Sequence, residues 1–247
     1  MNTYCDILGI KIKNISYEDI LKDIEMSINH SSRLCMFYAN KHNILEALKE
    51  GELMQCFDDL DYIHSDGIGV YLASRFLYCK NGLKNRLTGT DLYYKILNVA
   101  NETRYRIFFF GGTDESAKNL PIVINEKYSN IRISGILSRE TINYEKAIEL
   151  INKTNTDILF VGLGTPLQEF WIHKNKDLIK APVIISVGSG IDFIAETKKR
   201  APEFMRFVGL EWFFRMYVEP KRLWKRYIIG IPLFVFKILI FKFKLQK

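Results

Sequence analysis

Along most of this chain, short apolar runs alternate with longer stretches whose apolar positions recur three or four residues apart. Residues 8–12 read as a short strand. The run Ser16-Tyr17-Glu18-Asp19 carries the polar spacing of a capping box, with Ser16 as cap, and opens a helix to about residue 28. Residues 34–39 form a buried strand followed by a helix through 48. Residues 61–64 form a short strand that stops at Asp66-Gly67, before a helix to about 78. A helix over 91–100, strands over 106–110 and 131–136, a helix over 144–152, and strands over 157–161 and 183–187 complete the series. Strands that alternate with helices predict an α/β fold: a Rossmann-like, mostly parallel sheet with helices on both faces. Ligands of such sheets bind beyond the carboxyl ends of the strands.

Three strands end in glycine: Phe110-Gly111-Gly112, Val161-Gly162-Leu163-Gly164 and Val187-Gly188-Ser189-Gly190. Glycine lets the backbone approach a diphosphate closely and turn into a helix whose amino end favours anions. One such junction serves any parallel sheet, whereas three at one edge favour a nucleotide-type ligand. None completes GxGxxG with an acidic residue on the next strand, which counts against a dinucleotide enzyme. Asp66 would present its carboxylate at the same edge and could accept a proton from an attacking hydroxyl; a turn or cap aspartate is the plainer reading. Asn40 and His42 also fall at a strand end, where a helix-capping asparagine and a surface histidine are the plainer readings. Asp58-Asp59-Leu60-Asp61 contains a DxD triplet, read as structural because Asp61 starts a strand; no metal site is expected.

Charge changes the picture at the carboxyl-terminal end. Residues 198–247 carry 13 Lys+Arg against 3 Glu, net +10, while residues 1–197 carry 22 Lys+Arg against 25 Asp+Glu, net −3, which together give the +7 of the whole chain. We therefore divide the chain into a catalytic core, 1–197, and a basic, apolar, helical appendage, 198–247. Residues 228–240 are apolar apart from Lys237, contain Gly230 and Pro232, and fall short of the ~20 residues of a spanning helix. With Lys237, Lys242, Lys244 and Lys247 among aromatic and aliphatic neighbours, the tail reads as a membrane-associating interfacial segment. The alternative is a helix packed on the core or a partner subunit, and the period near two over 241–244 leaves its conformation open. A pI near 9.1 raises nucleic acid as a partner, but no zinc-finger, RNP or helix-turn-helix signature is present. The scattered Cys5, Cys35, Cys56 and Cys79 read as reduced thiols, and the amino terminus lacks a secretory signal; both fit a cytosolic setting.

Taken together, the motifs resemble the WecG/TagA/CpsF family of bacterial glycosyltransferases. The resemblance runs from Asn40 through Asp66-Gly67-Ile68-Gly69-Val70, Arg86-Leu87-Thr88-Gly89, Phe110-Gly111-Gly112 and Gly162-Leu163-Gly164-Thr165-Pro166-Leu167-Gln168-Glu169. It continues through Gly188-Ser189-Gly190-Ile191-Asp192-Phe193, Arg200-Ala201-Pro202, Gly209-Leu210-Glu211-Trp212 and Glu219-Pro220-Lys221-Arg222. It implies inverting transfer from a UDP-sugar to a sugar on a polyprenyl diphosphate, at the cytoplasmic face of the membrane, for teichoic acid or other surface polysaccharides. It implies neither a cofactor nor a DxD metal. Carried over by position, Asp66 is the general base, and Asn40, Arg86 and Gln168 line the sugar and acceptor pocket. Gly111, Gly112, Gly164, Gly188 and Asp192 lie along the donor nucleotide, and Arg215, Arg222, Lys225 and Arg226 close over the diphosphate. Tyr38 departs from the threonine usual in the family, and Glu196 from a common glycine; both bear on which donor and acceptor are used. A homo-oligomer remains open. The competing readings are an NAD(P)-dependent oxidoreductase and a non-enzymatic adaptor at the membrane surface.

Overall fold

A computed structural model describes residues 3–140 and 144–245. Eight strands form one sheet in the order β1 (Tyr4–Ile7), β2 (Ile10–Lys13), β4 (Tyr62–Ser65), β3 (Leu34–Ala39), β8 (Val183–Ser186), β7 (Ile158–Gly162), β5 (Arg106–Gly111) and β6 (Arg132–Leu137). Among the described residues every pairing is parallel except β1–β2. That exception revises the single strand expected over 8–12. Leu8 and Gly9 both take positive φ, 58° and 91°, and the Gly9 amide donates to Asp6 Oδ1 at 2.7 Å. Two positive-φ residues make the tight hairpin turn that matches strand twist, so the segment doubles back at the sheet edge.

The central strands are buried on both faces, which explains why they read as unbroken apolar runs rather than alternating ones. Met36, Phe109, Phe160 and Ile185 pack with α1 (Tyr17–Asn29), α5 (Gly89–Thr103), α6 (Asp114–Lys127) and α9 (Gly190–Ile194) on one face. Phe37, Phe110, Val161 and Ile184 pack on the other with α2 (Lys41–Ala47), α3 (Gly51–Asp58), α4 (Ile68–Tyr78), α7 (Tyr144–Lys153) and α8 (Leu167–Asn175). The capping box at Ser16 forms as expected: the Asp19 amide donates to Ser16 Oγ at 3.1 Å, and the Ser16 amide to Asp19 Oδ2 at 3.3 Å.

After the last strand come α10 (Glu203–Phe207), α11 (Glu211–Val218), α12 (Pro220–Trp224), a wide turn over Lys225–Ile229 and α13 (Gly230–Leu245). The tail is thus helical through residue 245, including the stretch whose period hinted at two; Lys247 lies outside the described residues. Pro232 stands two residues after Gly230, which closes the wide turn with its amide donating to the Lys225 carbonyl. Phe234 and Ile238 are buried against the core, while Val235, Phe236 and Phe243 on the same helix remain 50%, 60% and 68% exposed. No helix among the described residues is long and apolar enough to cross a membrane.

Candidate active site

The loops that follow β3, β4, β7 and β8 meet α10–α13 around a cavity of about 900 Å³. Tyr38, Asn40, Asp66, Arg86, Gly164 and Gly188 line it from the core, and Arg215, Arg222 and Arg226 from the carboxyl-terminal arm. The acidic triplet lies at the opposite, amino-terminal edge. There the Cys35 amide donates to Asp61 Oδ2 at 2.5 Å, and Asp59 pairs with Lys176 at 2.5 Å and His173 at 3.1 Å.

Asp66 is held by its neighbours rather than by an ion pair. The Gly89 amide, at the start of α5, donates to Oδ1 at 2.9 Å, and Asn40 Nδ2 donates to Oδ2 at 3.2 Å. Asn40 cannot turn its amide over. Its Oδ1 already accepts the His42 and Asn43 amides as the cap of α2, at 2.9 and 3.2 Å, which leaves only the NH2 for Asp66. The helix-cap reading of Asn40 and its place at the ligand edge are therefore one arrangement. His42 lines the cavity as well, and burial pushes its imidazole down to about 4.

Gln168 lies behind the cavity wall, fully buried, rather than on it. It accepts the Gly188 amide on Oε1 at 3.0 Å and donates from Nε2 to Tyr38 Oη at 3.2 Å and Glu169 Oε1 at 2.9 Å. It thus fixes a loop and a phenol that do face the cavity. Burial pushes the Tyr38 hydroxyl up to about 12, so it stays protonated at neutral pH, and raises the Glu169 carboxyl. Gly188 has φ +52°, and a Cβ there would stand 2.5 Å from Tyr38 Oη, so the close contact excludes any side chain.

Gly111, Gly112 and Asp192 also stand behind the lining. At Gly111 a Cβ would meet the Gly162 backbone at 2.3 Å. Asp192 is buried, pairs with Lys198 at 2.7 Å and accepts from Ser116 Oγ at 2.8 Å and the Thr113 amide at 3.3 Å. Thr113 and Lys198 reach the cavity where Asp192 does not.

The arm is fastened to the core beside Asp66. Arg86 donates to the carbonyls of Arg206 and Phe207, each at 2.9 Å. Asp91 accepts from Arg200 at 2.6 Å and pairs with Arg206 at 3.5 Å, while Arg200 stands 3.8 Å from Glu211. Beyond this fastening the cations lose their partners. Arg222 pairs with Glu219 at 2.5 Å, but Arg215 and Arg226 have no carboxylate within ion-pair distance among the described residues. The buried Nε of each has no hydrogen-bond acceptor among the described residues. Arg215 rests 5.3 Å from the Phe193 ring. Lys41 donates to the Arg226 carbonyl, stands 4.8 Å over the Tyr227 ring, and is pushed down to about 8 by burial and then by Arg226. Lys225 points away and sits 5.6 Å from the Trp224 ring, outside the cavity. Desolvated, unpartnered cations are stabilised by a neighbouring anion, and here none is supplied within ion-pair distance by the described residues.

A family model described as "Glycosyl transferase WecG/TagA/CpsF family" matches residues 5–247. The chain belongs to this family. It is therefore a glycosyltransferase, and the oxidoreductase alternative falls. A relative from Bacillus subtilis strain 168 is 34% identical over 193 residues, covering 78% of this chain and 74% of its own. One from Staphylococcus aureus strain MRSA252 is 30% identical over 247 residues, covering 98% and 94%. Another, from Staphylococcus aureus strain NCTC 8325, is 28% identical over 244 residues, covering 98% and 94%. All three are named N-acetylglucosaminyldiphosphoundecaprenol N-acetyl-beta-D-mannosaminyltransferase.

Within this glycosyltransferase, sequence reasoning passed over Lys41 and Asp91. Lys41 directly follows Asn40 and so enters the cavity with the cap. Asp91 stands three residues after Thr88, whose hydroxyl donates to it at 2.6 Å, a helix-start spacing that could have flagged an anchored carboxylate.

Proposed function

We propose that the enzyme transfers a sugar of the N-acetylmannosamine type from a UDP-sugar to the N-acetylglucosamine of a polyprenyl-diphosphate-linked acceptor, with inversion and without a metal ion. The observation that carries this reading is a single cavity walled by one restrained carboxylate, Asp66, and by unpartnered guanidinium groups, Arg215 and Arg226. In a single displacement the acceptor hydroxyl oxygen attacks the anomeric carbon as its proton passes to the Asp66 carboxylate. The bond from that carbon to the UDP oxygen breaks, and the electron pair leaves on the β-phosphate. The guanidinium groups of the arm and the Lys41 ammonium receive that charge through hydrogen bonds to phosphate oxygens, the part a divalent cation plays elsewhere. Asn40 aims the base. Tyr38, buttressed by Gln168, and the Gly164 and Gly188 turns shape the donor's berth. The names of the relatives support this donor sugar and acceptor.

Residues 198–247 act in this reading as the arm that completes the site at the inner face of the cell membrane. Phe207, Tyr217 and Ile228, exposed at 81%, 80% and 58%, project among the Lys and Arg of this segment, the mixture an anionic bilayer surface attracts. The test is a panel of UDP-sugars with a short-chain polyprenyl-diphosphate N-acetylglucosamine, read by mass spectrometry, with NMR of the product and a parallel reaction in EDTA. Transfer of one hexosamine, inverted and insensitive to EDTA, is expected. A retained anomeric centre, loss of turnover in EDTA, or transfer to no such acceptor would refute the reading.

A further inference from the structure

The cavity continues well past the polar chamber. The α4 helix begins directly after Asp66-Gly67, and its Ile68, Leu72 and Phe76, spaced four apart, line one wall. Facing them are Ile231, Val235 and Leu239 of α13, also four apart. Lysines pin α13 and the turn before it to the core at both ends, through α2 at one and α4 at the other. At the chamber end Lys41 donates to the Arg226 carbonyl just before α13 begins; at the far end Lys242 donates to the Phe76 carbonyl at 2.8 Å and stands 3.9 Å over the Phe76 ring. Between the pins runs a trough with apolar walls. From residue 231 to 239 it extends about 12 Å at the helical rise of 1.5 Å per residue. Leu72 and Val235 remain 56% and 50% exposed, so the walls do not close on each other.

A trough that is apolar along its length and cationic at its inner mouth fits a molecule with matching parts: an anionic group at Arg226 and Lys41 with a linear hydrocarbon leading away from it. We propose that the α4–α13 trough holds the first isoprene units of the acceptor's lipid, so that the enzyme grips the chain itself instead of leaving all of it in the bilayer. This rests on the lipid-diphosphate acceptor reading above. It gives α13 a role in acceptor choice beyond bringing the protein to a surface, and it explains why the row Ile231, Val235 and Leu239 faces the cavity while Phe243 does not.

The experiment compares two acceptors with the same diphosphate N-acetylglucosamine head, one bearing two isoprene units and one a methyl group. Both are assayed without vesicles or detergent, below the micelle concentration of the longer one. We expect kcat/KM to favour the isoprenyl acceptor about a hundredfold, the gain from burying a few methylene equivalents. In Leu72→Gln/Val235→Gln that ratio should fall roughly tenfold, as polar groups enter the walls. Both sites are half-exposed, and an unchanged thermal midpoint checks that the fold is intact. Phe243→Ser, on α13 but outside the cavity, should leave the ratio as in the parent. A parent ratio near one means that a bilayer acyl chain or nothing fills the trough, and overturns the assignment while the acceptor reading stands. A ratio that falls equally in Phe243→Ser assigns the preference to general surface adsorption and overturns it too. Failure of both acceptors with every UDP-sugar overturns the acceptor reading, and the trough assignment with it.

Discussion

Replacing Asp66 by Asn keeps the size of the side chain and removes the proposed base. The consequences follow from two hydrogen bonds. In the wild type, Oδ1 accepts the Gly89 amide and Oδ2 accepts Asn40 Nδ2. The new amide can keep only one of them. With its oxygen toward Gly89, its NH2 confronts the NH2 of Asn40, which cannot flip because its own oxygen caps α2. Losing a hydrogen bond to a charged group, and leaving a donor unmatched, costs about 1–3 kcal/mol. For a chain of this size each kcal/mol lowers the thermal midpoint by roughly 2–4 °C, so a drop of roughly 2–12 °C is expected by calorimetry. Chemistry should suffer far more than stability. Removal of a general base lowers kcat by about 10²–10⁴, or about 3–5 kcal/mol of barrier. The donor KM should move little, because the base acts on the acceptor hydroxyl. The assay is steady-state UDP release with the lipid-linked acceptor saturating, at a temperature where both proteins are folded. Turnover within tenfold of wild type, with the thermal shift present, would show that the carboxylate is structural and would refute the assigned role.

Other perturbations test the cations and the arm. Arg226→Met should lower turnover by about 10²–10³, as loss of one transition-state donor does, while raising the thermal midpoint of the ligand-free protein by a few degrees, because an unpartnered buried charge is removed; a lower midpoint would contradict the account. Lys41, pushed down to about 8, is partly deprotonated at pH 8, and a bound diphosphate restores its proton. Titrating UDP calorimetrically at pH 8 in buffers of different ionisation enthalpy should therefore show net proton uptake, fading below pH 7 and lost in Lys41→Met; proton release would reverse the sign and refute it. Asp91→Ala removes the acceptor shared by Arg200 and Arg206, and trypsin should cut between residues 198 and 206 on the order of tenfold faster, with turnover falling in step. An unchanged cleavage rate would mean that Asp91 does not hold this segment in place. Gly188→Ala should destabilise the protein through the 2.5 Å contact with Tyr38 Oη, and Tyr38→Phe should restore part of the loss; no rescue would place the strain in the backbone at φ +52° instead.

The sheet was legible in the sequence because its central strands are buried on both faces, so 34–39, 107–110 and 158–161 are short uninterrupted apolar runs of the kind a parallel interior holds. The edge was not legible. Residues 8–12 were read as one strand because no period marks a two-residue turn, and Leu8 is an uncommon residue at positive φ. Asp66 and Asn40 could be read from their places after strands, since such ends face the ligand edge. Gln168 carried no sign that it faces inward: a polar residue beside Pro166 looks like a loop residue, and only packing shows it buried against Tyr38 and Gly188. The tail's conformation stayed open because of its own composition. With apolar residues nearly all round it, α13 gives no stripe, because one side packs on the core, one lines the cavity and the remainder is exposed.

That division of α13 bears on why the arm can be functional and still stay in place. Arg215, Arg226 and Lys41 crowd positive charge into one partly desolvated space, which by itself pushes arm and core apart. What opposes the repulsion is apolar burial of Leu223, Tyr227, Phe234 and Ile238, together with the Asp91–Arg200 fastening. The two sets of residues interleave in sequence between 200 and 238, so anchoring and repulsion cannot be separated by cutting the chain. An anion bound among the cations cancels the repulsion and leaves the apolar contacts unopposed. In the proposed reading, donor binding and arm seating are therefore coupled in sign: each favours the other, by the same free energy in both directions. A seated arm with an empty cavity is then the strained member of the pair, and a bound UDP-sugar should protect the 198–206 segment from protease more than it protects the distant β1–β2 hairpin.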